Sequence, residues 1–263
     1  MTPAELIRAG RLTEALEALQ RDIRQNPSDP RLRIFLFQLD CLLGRLDKAL
    51  TQLQVVASLD AETMLLAQIF RPVIACELLR GEVFSGKRTP LIFGEPAEWI
   101  GLLVQAGVLV AQGRLAAATE LRNRAFDAAP ATPGTVDGQA FAWIADADSR
   151  LGPLLEVILE GKYYWVPFSR IARVEIEKPT DLRDLVWAPA QFTWTNGGAV
   201  SGHIPVRYPN TEKSEDDSLR LARRTVWDEP SPDWCLGLGQ RMLTTDTGEY
   251  PLLECRKIEL THA

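Results

Sequence analysis

Gly10-Arg11-Leu12, Gly44-Arg45-Leu46 and Gly113-Arg114-Leu115 decide how this chain is read. The first two tripeptides lie 34 residues apart and the third follows 69 later. Five residues after each glycine stands an alanine: Ala15, Ala49 and Ala118. Pro27 and Pro130 follow the first and third glycines by 17 residues, where the second copy has Ala61. Each position has a physical task. The glycine permits left-handed backbone in a tight turn between antiparallel helices. The small alanine lets a neighbouring helix approach closely. The proline ends the second helix, because it lacks a donor and clashes with the preceding turn.

A 34-residue period is that of tetratricopeptide helix hairpins. Leu12, Ala15, Leu16, Leu19 and Ile23 form one apolar face, and Leu46, Ala49, Leu50 and Leu53 repeat it. A helical pattern over 61–80 contains Pro72, which predicts a kink or a local adjustment. Residues 85–96 carry Gly86, Pro90, Gly94 and Pro96 and read as a loop, after which helical spacing resumes over 97–112 and 115–128. About seven helices are expected, with one hairpin degraded or replaced by the loop. The first helix of each hairpin lines the inner face of such a layer. That face would present Arg31, Ile34, Gln38 and Cys41, and later Ile100, Leu103, Gly107 and Val110. It is either a groove for a partner helix or extended peptide, or a surface packed against the second half or another subunit.

The 263 residues divide near position 130. Up to Pro130 there are 15 basic and 15 acidic residues; the whole net charge of −6 lies beyond it. Six of seven Trp and all four Tyr also follow that point. The expected domains are therefore 1–130, helical repeats, and 136–263, a β-rich α+β unit, joined at Ala131-Thr132-Pro133-Gly134-Thr135. An acidic pI near 5.2 without basic runs argues against nucleic acid. No apolar stretch reaches the roughly 20 residues of a membrane span. The acidic N-terminus lacks a basic-then-apolar leader, and Cys41, Cys76, Cys235 and Cys255 form no disulfide pattern, so a reducing cytoplasm is expected.

Beyond the join, 141–145, 163–166 and 171–176 read as strands, and 154–160 as a short helix ended by Gly161. Asn196-Gly197-Gly198 marks a hairpin between 191–194 and 199–208; Asp246-Thr247-Gly248-Glu249 marks another, between 242–245 and 250–260. Trp187, Phe192 and Trp194 surround a proline-containing bend, and 210–217 reads as a mobile acidic loop. The two neighbours Tyr164 and Trp165 would face opposite sides of a strand. Core packing accounts for most of the tryptophans, and Trp165 and Trp187 are candidates for a contact surface.

The catalytic inventory is thin. His203 stands without a metal-ligand partner, and His262 is next to last. Asp146 and Asp148 would point the same way from a strand, as a metal or acid–base pair does, but Arg150 is near enough to make a salt-bridged turn. Gly237-Leu238-Gly239-Gln240 lacks the Lys-Ser/Thr of a phosphate loop. Neither a catalytic constellation nor a cofactor site emerges.

Several longer strings carry a resemblance: Trp143-Ile144-Ala145-Asp146-Ala147-Asp148-Ser149-Arg150-Leu151-Gly152-Pro153, Gly161-Lys162-Tyr163-Tyr164-Trp165-Val166-Pro167 and Asp181-Leu182-Arg183-Asp184-Leu185-Val186-Trp187. Leu221-Ala222-Arg223-Arg224-Thr225, Gly237-Leu238-Gly239-Gln240-Arg241-Met242-Leu243, Arg88-Thr89-Pro90 and Phe93-Gly94-Glu95-Pro96 continue it. With these the chain resembles the ImpE/TagJ family, also called SciE-type, accessory components of bacterial type VI secretion. The resemblance implies a cytoplasmic, non-enzymatic adaptor without cofactor. Its implied partners are the N-terminal helix of the small, TssB-type sheath subunit and a ClpV-type disassembly ATPase, with homo-oligomers also compatible. Two alternatives stand beside it. One is a metal-dependent hydrolase using Asp146, Asp148 and His203; the other is an interaction module whose groove is filled by its own second half or a twin subunit.

Overall fold

The structure, a computed structural model, describes residues 1–58 and 61–262. Its first half holds α1 (Pro3–Arg8), α2 (Leu12–Gln25), α3 (Pro30–Leu42), α4 (Leu46–Val56), α5 (Ala61–Phe84), α6 (Glu98–Ala111) and α7 (Leu115–Ala128). The three Gly-Arg-Leu sequences are three copies of one turn. Gly10, Gly44 and Gly113 have φ of +72°, +68° and +73°. The following arginine N–H groups donate to Leu6, Asp40 and Leu109 carbonyls at 2.9, 2.8 and 2.9 Å, closing the preceding helix. The matched alanines Ala15, Ala49 and Ala118 are fully buried where the helices meet.

Helix α5 runs through Pro72 as one element of 24 residues. The expected loop after it contains a two-residue strand, β1 (Leu91–Ile92), which pairs in parallel with Tyr164 and Trp165 of the second half. That pairing was invisible in a segment dominated by Gly and Pro.

The second half contains β2 (Gly134–Val136), β3 (Gln139–Phe141), β4 (Ile144–Asp146), β5 (Leu154–Leu159), β6 (Lys162–Pro167), β7 (Ile171–Ile176), β8 (Trp187–Trp194) and β9 (Ala199–Pro205). A four-residue helix α8 (Asp217–Arg220) and β10 (Thr225–Asp228), β11 (Leu236–Gly239), β12 (Met242–Thr245), β13 (Glu249–Pro251) and β14 (Lys257–Leu260) follow. Nine strands form one sheet in the order β1-β6-β5-β9-β8-β7-β14-β2-β3; β13-β12-β4 and β10-β11 form two smaller ones.

Five expectations are corrected. Residues 154–159 are a strand: all six are buried, because one side of β5 faces the helices and the other a second core. A strand apolar on both faces loses its alternation and imitates a buried helix. The strand expected over 141–145 is divided between β3 and β4. The proline of the expected bend, Pro189, lies inside β8, near the point where pairing with β7 ends at Ile176 opposite Ala190. The arm expected over 250–260 is divided as well. Its start pairs with β12, whereas β14 crosses to the large sheet between β7 and β2. The acidic segment 210–217 is docked rather than mobile. Thr211 is fully buried and accepts from Gly239 N at 2.9 Å, and Asp217 Oδ2 accepts from Leu12 N at 2.8 Å.

One core joins the halves. Leu39, Phe70, Ile74 and Leu103 from helices pack in the same cluster as Leu154, Ile158, Trp165 and Trp187 from the sheet. Leu155, Val157, Phe192 and Ile258 fill the cluster on the far face.

Candidate functional site

The inner helical face is covered by the chain's own second half. A 3₁₀ turn, Leu182–Leu185, lies on α3, and Leu182 N donates to Gln38 Oε1 at 3.2 Å. Trp187 Nε1 donates to Glu77 Oε2 on α5 at 2.8 Å, and Arg183 lies 4.9 Å above the Phe70 ring. Further along, Trp234 Nε1 donates to Thr119 on α7 at 2.7 Å, with Arg122 stacked 4.6 Å above that indole. Of the residues expected to line an open groove, Gln38, Cys41, Ile100 and Leu103 are buried, and so are the contact-surface candidates Trp165 and Trp187. Ile34 and Val110 are half-buried, and Arg31 alone is exposed, paired to Asp29 at 3.4 Å. Gln38 and Trp187 both bond across the contact between residues 182–187 and the helices, and Cys41 and Trp187 share one core cluster.

Beneath that contact lies a buried ionic network that sequence reading missed. Glu156 points from β5 toward the helices, where Arg80 of α5 meets it: Nε to Oε1 at 2.6 Å and Nη2 to Oε2 at 3.0 Å. Arg241 also pairs with Glu156 and reaches on to Asp146. The Tyr163 hydroxyl donates to Glu156 and accepts from Trp165 Nε1 at 2.7 Å. Tyr208 donates to Asp146 Oδ1 at 3.0 Å. Burial acts on both carboxylates, with different results. On Glu156 it is outweighed by Arg80 and Arg241, which hold the carboxyl at about 2. On Asp146 burial prevails over Arg241 and lifts the carboxyl to about 6. The signal available in the sequence was a single charge, Glu156, inside Leu-Leu-Glu-Val-Ile-Leu. A buried charge of this kind is stable when paired, and otherwise shifts its pKa toward the neutral form.

The pair considered for chemistry is spoken for. Asp148 Oδ1 accepts from Arg150 N at 2.9 Å and Arg150 Nε at 2.8 Å, and its Oδ2 accepts from Gly237 N at 2.8 Å. This is the salt-bridged turn. His203 is half-buried on β9 against the Phe70 ring, centroids 5.6 Å apart, and burial lowers its pKa. His262 Nε2 lies 2.6 Å from the Ile171 carbonyl. Among the described residues no group of three or more His, Cys, Asp or Glu is placed to hold a metal, and no helix is long and apolar enough to cross a membrane.

The outer side of α5 remains open. Met64, Leu65, Ile69 and Leu78 are 44–58% exposed there, and Pro72 is exposed between them. Ile69 and Pro72 border a cleft of about 420 Å³ whose far wall is Ile158, Gly161, Pro189 and His203. Scattered apolar residues on a surface are ordinary; here four fall on one helix, beside a cleft.

Comparison with known proteins agrees with this architecture. Residues 138–259 match the model of the ImpE protein family, and residues 6–69 match a tetratricopeptide repeat model. The type VI secretion system accessory component TagJ of Pseudomonas aeruginosa is 50% identical over 259 residues, covering 98% of this chain and 91% of that protein. The crystal structure of protein VPA1032 from Vibrio parahaemolyticus superposes with a TM-score of 0.90 at 26% identity, covering 99% and 98% of the two chains. The repeat turns, the sheet and the long family strings thus occur together along nearly the whole chain, which belongs to the ImpE/TagJ family.

Proposed function

We propose that this protein is a cytoplasmic, non-catalytic adaptor of type VI secretion. It binds the N-terminal helix of the small sheath subunit and assists ATPase-linked sheath disassembly or recycling. Kinship with an accessory component named TagJ supports the secretion role. The observation carrying the adaptor reading is the exposed apolar row Met64, Leu65, Ile69 and Leu78 on α5, beside a cleft. An amphipathic helix would bury its apolar stripe there, by the same physics that packs helices inside the fold. Of the inner-face candidates, Arg31 is the exposed one, and its pair with Asp29 would contribute to a polar rim.

A second reading, the self-filled module, is favoured by the contacts Gln38–Leu182 and Trp187–Glu77. The two are compatible: 1–130 and 136–263 act as two domains fused along the inner face, leaving α5's outer face for the partner. Titrating a peptide of the sheath subunit's first helix into the full chain tests the proposal. Saturable binding that Leu65→Glu with Ile69→Glu weakens by at least about tenfold is expected, since a few central apolar residues dominate such interfaces. A peptide that binds neither wild type nor variant would sink the adaptor reading.

A further inference from the structure

Arg207 follows β9 and is only 7% exposed, yet no carboxylate among the described residues pairs with it. The other deeply buried arginines differ. Arg80, Arg150 and Arg241 each hold a carboxylate. Arg122 directs Nε and Nη2 to Asn123 Oδ1. Arg207 uses Nη1 alone, donating to the Leu42 carbonyl at the end of α3 (2.7 Å) and the Arg220 carbonyl at the end of α8 (2.8 Å). Its Nε and Nη2, the two parallel donors on the other edge, meet no acceptor among the described residues.

That side chain lines a cleft of about 620 Å³ between α5, the start of α4 and residues 207–213. The volume is that of a small-molecule site. Glu77, also in the wall, spends its oxygens on Arg80 at 3.0 Å and Trp187 at 2.8 Å; its charge and that of Glu212 act on Arg207 through space, without a hydrogen bond. Burial lowers Arg207 to about 10, which leaves it cationic at neutral pH, with its two unpaired donors open to the cleft rather than sealed in the core. Lys87 and Lys213 line the cleft as well, but Glu82 and Glu212 stand with them. A dianionic phosphate would meet three carboxylates, counting Glu77; a monoanionic, planar carboxylate matches a single free guanidinium edge.

We propose that this cleft binds a small carboxylate-bearing ligand, its two oxygens accepting from Nε and Nη2 of Arg207. The inference stands apart from the adaptor reading. Replacing Arg207 would also remove the bridge between α3 and α8, so the decisive variant leaves it in place. Gly81, in the cleft wall on α5, has open space where a Cβ would stand. Gly81→Glu therefore adds a competing carboxylate, and Gly81→Ala is its control.

The Nε–H resonance of Arg207 in the full chain is followed by NMR at constant ionic strength. Acetate, its neutral isostere acetamide, and inorganic phosphate are titrated in turn. A saturable shift with acetate, none with acetamide, and weaker binding of phosphate is expected. Gly81→Glu should weaken acetate by about tenfold, as like charges in one cleft do, with Gly81→Ala unchanged. An unmoved Arg207 resonance, equal responses to acetate and acetamide, tighter phosphate binding, or equal acetate affinity in Gly81→Glu and wild type would each overturn the proposal.

Discussion

Arg80 Nε on α5 donates to Glu156 Oε1 on β5 at 2.6 Å, and almost no solvent reaches either side chain. This bond ties the longest helix to a strand near one edge of the large sheet, and Arg241 continues it to Asp146 on β4. The network is satisfied as a whole, so breaking one member exposes the others to an uncompensated charge.

Glu156→Gln should destabilise the protein by roughly 3–5 kcal/mol, because Arg80 and Arg241 lose their shared counter-charge in the interior. The pH dependence follows in sign. Glu156 is held near 2, below its ordinary 4.5, so its contribution is complete above about 4.5 and is lost as pH falls toward 2. Urea unfolding across that range should show this acid limb in wild type and not in Glu156→Gln.

Asp40 behaves oppositely. It is buried on α3 with Oδ1 lacking any hydrogen bond, and burial raises its carboxyl to about 6 against the pull of Arg45 and Lys48. A raised carboxyl favours the folded state below 3.8, and that advantage disappears as pH rises through about 6. Asp40→Asn should therefore stabilise by roughly 1–3 kcal/mol above pH 7 and by little near pH 4, read from unfolding midpoints at the two pH values.

Trp187 is fully buried and bonded to Glu77. Trp187→Phe should cost roughly 2–4 kcal/mol, from the space left and the unpaired Glu77 oxygen. A surface contact residue would show almost no loss of thermal stability on the same change, so calorimetry separates the two roles.

Gly161, at φ +72°, sits where an added Cβ would lie 2.8 Å from Pro72 Cβ. Gly161→Ala combines left-handed strain with that clash and should destabilise by roughly 1–3 kcal/mol, lowering the melting temperature. Pairing it with Pro72→Gly removes the clashing Cβ but leaves the strain, so Gly161→Ala should cost less in the Pro72→Gly background; an unchanged cost would refute the packing argument.

Much of the first half was legible because its signals are local. A glycine turn, an alanine five residues on and a 3.6-residue apolar period each act within one hairpin, so three copies of Gly-Arg-Leu produced three copies of the same turn. The strands at 171–176 and around Asn196-Gly197-Gly198 were legible for the same reason: alternation and turn chemistry are short-range. Strand β5 was not, since its two buried faces erase the alternation that would reveal it. The helical partner candidates were drawn from the inner face, whose cover comes from residues 182–187, some 140 positions away from Gln38.

The sequence by itself determined the repeat turns, the helical first half, the strand-rich second half and the family. These depend on backbone conformation and on strings of adjacent residues. Only the tertiary structure decided which surfaces remain open, that Glu156 is the hinge of a buried ionic network, and that Arg207 faces a cleft with one edge unpaired. Burial and charge pairing are properties of what lies across the chain, and they emerge when the helices close against the sheet.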